Sequence, residues 1–254
     1  MVGETARYVY AITRGIAAET LAGVRGQQGG AVETVHHRDL DAVVSDVPLD
    51  SFGEDGLKQN LEDLDWLEQV ARAHDEVVRA VAAHGPTAPL RLATICLDDD
   101  GVRARLDEWG DELAEVLDRV TGRGEWSVKV VAPPSSGAQQ DDVEPTSGAE
   151  FLRRRKAQAE QREQRHSAAS AVAEDVHHEL AGHAVASRLL PPQDPRLTGA
   201  AGTMVLNAAY LVDLERADDF AASVDGLAAR HPDVMVEGAG PWPPYSFAVL
   251  EQQT

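Results

Sequence analysis

The chain has 254 residues and carries 43 Asp and Glu against 23 Lys and Arg, a formal net charge of −20. A surface of that sign repels phosphate polyanions, which excludes nucleic acid and anionic membranes as expected partners. Hydrophobic residues make up 43%, enough for two modest folded cores at this length and too many for a disordered chain.

The single cysteine, Cys96, can form no internal disulfide and lies in the apolar run 92–97, which fits a buried thiol in a reducing compartment. At the N-terminus Gly3, Glu4 and Thr5 stand where a secretion signal would need a basic start and then an apolar stretch. No segment approaches the roughly 18 uninterrupted apolar residues of a membrane span. The expected location is the cytoplasm.

In chain order, the β-branched and aromatic run Tyr8–Ile12 predicts a first strand, and a Gly-rich loop at 23–30 separates it from strands at 31–35 and 40–45. From Leu57 the apolar residues Leu61, Leu64, Leu67, Ala71, His74, Val78 and Val81 recur every three or four positions. They predict one amphipathic helix that His84-Gly85-Pro86 ends. A strand at 90–97 follows. Asp98-Asp99-Asp100 supplies an N-cap and first-turn acids for a helix through Val120, and 126–131 reads as another strand. This order predicts an α+β fold whose N-terminal domain, residues 1–132, is a ferredoxin-like α/β sandwich of one sheet layer and one helix layer.

Residues 133–148, rich in Pro, Ser and acids, predict a linker. Residues 149–254 predict a C-terminal α+β domain led by a long helix from Glu150 to about Leu190. Strands are expected at 204–212, 234–237 and 245–250, with a helix at 217–229.

The search for reactive groups yields little. His177, His178 and His183 stand in a run that suggests a zinc site, and a metal-dependent hydrolase is one alternative function. Two His on one helical face must be four apart, however, and these are five and six apart. No Gly-x-Ser-x-Gly elbow or phosphate-binding loop occurs, and Cys96 has no flanking base. No cofactor or metal is expected, and the protein is expected not to be an enzyme. A small-molecule-binding regulatory protein is a second alternative, by analogy with the fold alone.

Two segments stand out as partner contacts. The run Arg153-Arg154-Arg155-Lys156 is the one basic cluster of an acidic chain. Gly240-Pro241-Trp242-Pro243-Pro244-Tyr245-Ser246-Phe247 sets three prolines and three aromatics in eight positions, which makes a stiff, irregular segment bearing large side chains suited to a core corner or an interface. The candidate contact residues are Trp242, Tyr245, Phe247, Arg153, Arg154 and Arg155.

That octet resembles the C-terminal signature of the gas-vesicle F/L family. Tyr8-Val9-Tyr10, His74-Asp75-Glu76-Val77-Val78, 89–94, 148–155 and 207–212 match the same family in order. The resemblance implies two domains, no catalysis, and a part in gas-vesicle assembly. It implies as partners the small shell protein and other accessory proteins, and as location the cytoplasm and the gas vesicle.

Overall fold

The computed structural model describes residues 4–134, 148–193 and 202–248. The α+β class and the two-domain organisation are both present, as two compact units comprising residues 1–125 with 242–254, and residues 126–241. This division differs from the expected boundary at 133–148. The strand Arg123–Ala132 runs unbroken through residue 125, and the C-terminal segment returns to the first unit's cores through Tyr245 and Ala248. Most of the expected linker, 135–147, lies outside the described residues.

The first unit contains β1 (Thr5–Thr13), β2 (Val32–His37), β3 (Leu40–Pro48), α1 (Leu49–Phe52), α2 (Glu54–Asn60) and α3 (Leu64–Ala82). These are followed by β4 (Thr87–Pro89), β5 (Ile95–Cys96) and α4 (Asp99–Val120). The strand order is β2-β3-β1-β4, and β5 also pairs with β1. All these pairings are antiparallel.

A bulge between Val9 and Ala11 inserts Tyr10 into β1. Ala6, Tyr8, Tyr10 and Ala11 join the core under α3, with Phe52, Val70, Val77, Val78 and Val81. Val9 and Ile12 join the core under α4, with Leu106, Trp109, Leu113 and Leu117. The sheet therefore has a helix on each face, and this α/β sandwich has three layers where two were expected. The wholly buried middle of β1 explains its continuous apolar run, since neither face meets water.

Two expected elements are interrupted. The helix expected from Leu57 breaks into α2 and α3 at Asp63, whose carboxylate accepts the backbone N–H of Asp65 and Trp66 and so starts a new helix. The strand expected at 90–97 breaks at Ala93, which has φ +60 and donates its N–H to the Tyr8 hydroxyl at 3.0 Å. The Asp98 cap holds as read, accepting Gly101 N–H at 2.8 Å.

The second unit takes the remainder of β6 (Arg123–Ala132), then α5 (Gly148–Ala181), β7 (Ala186–Leu189), β8 (Thr203–Asp213), α6 (Ala217–Arg230) and β9 (Met235–Trp242). The succession β-α-β-β-α-β with strand order β7-β8-β6-β9 is the ferredoxin-like arrangement, so that topology lies in the second unit. Val128, Val130, Ala208, Tyr210 and Val212 meet Val176 and Leu180 of α5 and Phe220, Val224 and Leu227 of α6 in one core. The long helix ends at Ala181, not near Leu190, with Gly182 beyond it, and residues 186–189 pair with β8 instead. The last expected strand is also corrected. Tyr245–Phe247 form a turn, because the prolines ahead of them lack backbone donors for a ladder, and 249–250 lie outside the described residues.

One glycine tests the packing of the first unit. A Cβ on Gly26 would lie 2.4 Å from the Tyr10 hydroxyl and 2.8 Å from Ser45 Oγ, two atoms already hydrogen-bonded to each other at 2.7 Å in the core. Gly26→Ala is expected to cost about 2 kcal/mol, as overpacking does. A thermal melt lower by roughly 4–8 °C would register it; an unchanged melt would show that the loop moves freely.

Candidate functional site

The Tyr8 hydroxyl is fully buried, accepts the Ala93 N–H and lies 3.0 Å from His74 Nδ1 on α3. The hydroxyl and His74 Nδ1 are hydrogen-bonded, and the imidazole tautomer sets which of them donates. Burial lowers the His74 pKa from 6.5 to about 4, although the Asp75 carboxylate pulls the other way. The ring is neutral at physiological pH inside the core.

His74 sets the rotation of α3, and the next residues along the helix meet the C-terminal octet. Asp75 accepts a 3.3 Å hydrogen bond from the Tyr245 hydroxyl and pairs with Arg79 at 2.5 Å. The Arg79 guanidinium lies 4.4 Å from the centre of the Trp242 ring, a cation–π stack. Burial, with the adjacent Asp75 charge, raises the Tyr245 pKa, so the phenol stays a donor.

Further along the segment, Glu125 accepts Ser246 N–H at 2.7 Å and the Ser246 hydroxyl at 2.6 Å. Pro243, Pro244 and Phe247 are buried. The stiff octet is thus tied to the first unit by a phenol, a guanidinium stack and a buried carboxylate. Trp242, at 36% exposed, keeps an accessible edge, whereas Phe247, at 8%, has little surface left for a partner.

Arg153, Arg154 and Arg155 lie elsewhere, in the first turns of α5. Arg154 pairs with Glu150 at 3.0 Å, and Arg155 lies 5.8 Å over the Phe151 ring. Every residue from Phe151 to Ala168 is exposed, and the buried positions of α5 begin only at Ala169. The two sets of candidate residues belong to different units.

His177 lies 2.8 Å from the Tyr210 hydroxyl, while His178 is exposed. Among the described residues no group of three or more His, Cys, Asp or Glu is placed to hold a metal ion. No described helix is long and apolar enough to cross a membrane. Sequence reasoning missed Glu125, Asp75 and Arg79 as ties of the octet. Asp75 stands in a matched family motif, but the sequence gives no pairing across the 170 positions to Tyr245.

The architecture is that of a two-unit α+β protein with a proline-rich segment fastened to its first unit. The chain belongs to the gas vesicle synthesis protein GvpL/GvpF family, whose sequence profile matches residues 6–249. This is a gas-vesicle family and not a known enzyme family. Over 253 residues the chain is 44% identical to gas vesicle protein L of Streptomyces sp. (strain CB03234), covering 97% of this chain and 94% of that protein. It is 29% identical to gas vesicle protein F of the same organism, covering 94% and 98%. The fold is shared with the crystal structure of the gas vesicle protein GvpF from Anabaena sp. PCC7120 (TM-score 0.71, 18% identity, 97% of each chain). It is shared also with that of GvpF from Microcystis aeruginosa (TM-score 0.69, 16% identity, 96% of this chain and 99% of that one).

Two expectations follow from the geometry. Because the folded pKa of His74 lies below its ordinary value, the unfolded chain takes up a proton between pH 6.5 and about 4 that the folded chain refuses. Stability from this residue is complete above pH 6.5 and declines through that window, by up to about 3 kcal/mol. Urea unfolding at pH 7 and pH 4.5 should show a larger loss for the parent than for His74→Phe; equal losses would place the acid sensitivity elsewhere. Glu125→Ala removes both hydrogen bonds to Ser246, at a cost of about 3 kcal/mol. Limited proteolysis should then clip the C-terminal segment at least tenfold faster while the rest of the first unit survives, and an unaltered cleavage rate would show that the aromatics alone hold it.

Proposed function

We propose that this chain is a cytoplasmic accessory protein of gas-vesicle assembly, acting in nucleation or growth of the shell through contacts with the shell protein and other accessory proteins. It performs no catalysis. The observation that carries the reading is the family match along residues 6–249, supported by the 44% identity to a gas vesicle protein L over nearly its whole length.

In this reading Arg153, Arg154 and Arg155 and the open edge of Trp242 meet the partners. Tyr245 and Phe247 hold Trp242 in place through the Asp75 bond and core packing. Rigid aromatics and arginines suit such a role, since they bring large contact area or directed charge at little cost in conformational entropy.

The test is affinity recovery of the full tagged chain from cells expressing a complete set of vesicle genes. The shell protein or another vesicle component should accompany it, and Trp242→Ala should reduce that recovery about tenfold, as loss of an interfacial aromatic does. Recovery of no vesicle component would refute the reading. Undiminished recovery by a folded Trp242→Ala protein would leave the octet a structural corner only.

A further inference from the structure

The first five turns of α5 are unusual in an acidic protein. Residues 148–168 hold six Lys and Arg against three Glu, a local charge of +3, whereas the remainder of the chain holds 17 basic against 40 acidic residues. The stretch is about 30 Å long at the rise of an α-helix. It carries no buried side chain, yet Phe151 and Leu152 are 47% and 68% exposed at its start, beside Arg153 to Lys156. A helix without a packed face draws its stability from helix-forming residues and i,i+4 pairs such as Arg154–Glu150 and Lys156–Glu160. Such an exposed basic helix suits a surface of opposite charge with an apolar contact of its own.

The corner between α2 and α3 has that chemistry. Residues 54–68 carry six acids against Lys58 alone, a local charge of −5. Leu61 and Leu64 stand 50% and 77% exposed among them. Glu54 is paired with Lys58 and Glu68 with Arg72, and Asp63 caps α3. Asp55, Glu62 and Asp65 make no ion pair among the described residues.

We infer that the basic arm of α5 docks on the acidic α2–α3 corner of a second copy of this chain. Leu61 and Leu64 meet Phe151 and Leu152, and Glu62 and Asp65 meet the arginines of the 153–155 cluster. The contact joins two different surfaces, so each copy offers one of each, and association is head-to-tail. At physiological ionic strength a Debye length of about 8 Å screens the repulsion between two chains of charge −20, while the close contacts keep their attraction. The inference rests on the assignment of Arg153 to Arg155 as contact residues and adds a second copy of this chain to the partners that surface meets.

Sedimentation velocity on the full chain over a range of concentrations tests it. The parent should associate in a concentration-dependent manner that weakens as salt rises. A triple variant, Arg153→Gln with Arg154→Gln and Arg155→Gln, should weaken association at least tenfold, as should Glu62→Gln with Asp65→Asn. Both sets of changes lie on exposed helix surface, and circular dichroism would verify the folds. Mixing the two variants restores one intact arm facing one intact corner, so a 1:1 dimer should form and grow no further. A parent that stays monomeric at every concentration overturns the inference, as does a mixture that fails to associate. Either result leaves the assembly role, which affinity recovery of vesicle components tests separately, standing.

Discussion

The bond between Tyr8 and His74 is the constraint on which the first unit is built. One buried hydroxyl takes the N–H of Ala93 and shares a hydrogen bond with His74, tying β1 to α3 and to the turn that separates β4 from β5. A buried polar group without a partner costs on the order of 1–3 kcal/mol, so the hydroxyl holds both of its partners in place. Burial keeps the imidazole of that bond neutral at physiological pH. With α3 fixed in rotation, Asp75 and Arg79 stand where the octet must land. The chemistry at the end of the chain therefore depends on a hydrogen bond made by its eighth residue.

Much of the architecture was legible because periodicity reports burial directly. The alternation of Leu, Val and Trp along 102–120 and the β-branched run of 126–131 each led to the element found there. What failed had local physical causes that pattern alone cannot rank. Asp63 could sit inside a helix or start one, and its two backbone hydrogen bonds decide for a start. Ala93 is an ordinary residue to a propensity scale, but the Tyr8 hydroxyl holds it at φ +60. The ferredoxin-like order was assigned to the first unit from a count of strands and helices, which says nothing of the face each helix covers; α3 and α4 lie on opposite faces.

The candidate site was legible only in its membership. The octet attracts attention through composition, yet its ties to Glu125, Asp75 and Arg79 span distances in sequence that no spacing rule covers. Those ties divide the aromatics by role: Phe247 and Tyr245 are largely consumed by the fold, and Trp242 alone keeps an open edge. The arginine cluster reads the same from sequence and structure because its side chains are exposed. Its meaning changes all the same, from a solvated helix start to one end of a long exposed basic arm on an otherwise acidic protein.

The most direct test of the account as a whole is removal of the gene from a vesicle-producing host, followed by complementation with the intact chain. A role in assembly predicts that deletion lowers vesicle yield or alters vesicle shape, seen as lost buoyancy and by electron microscopy of whole cells, and that the intact chain restores both. Vesicles of normal number and shape in the deletion strain would contradict it.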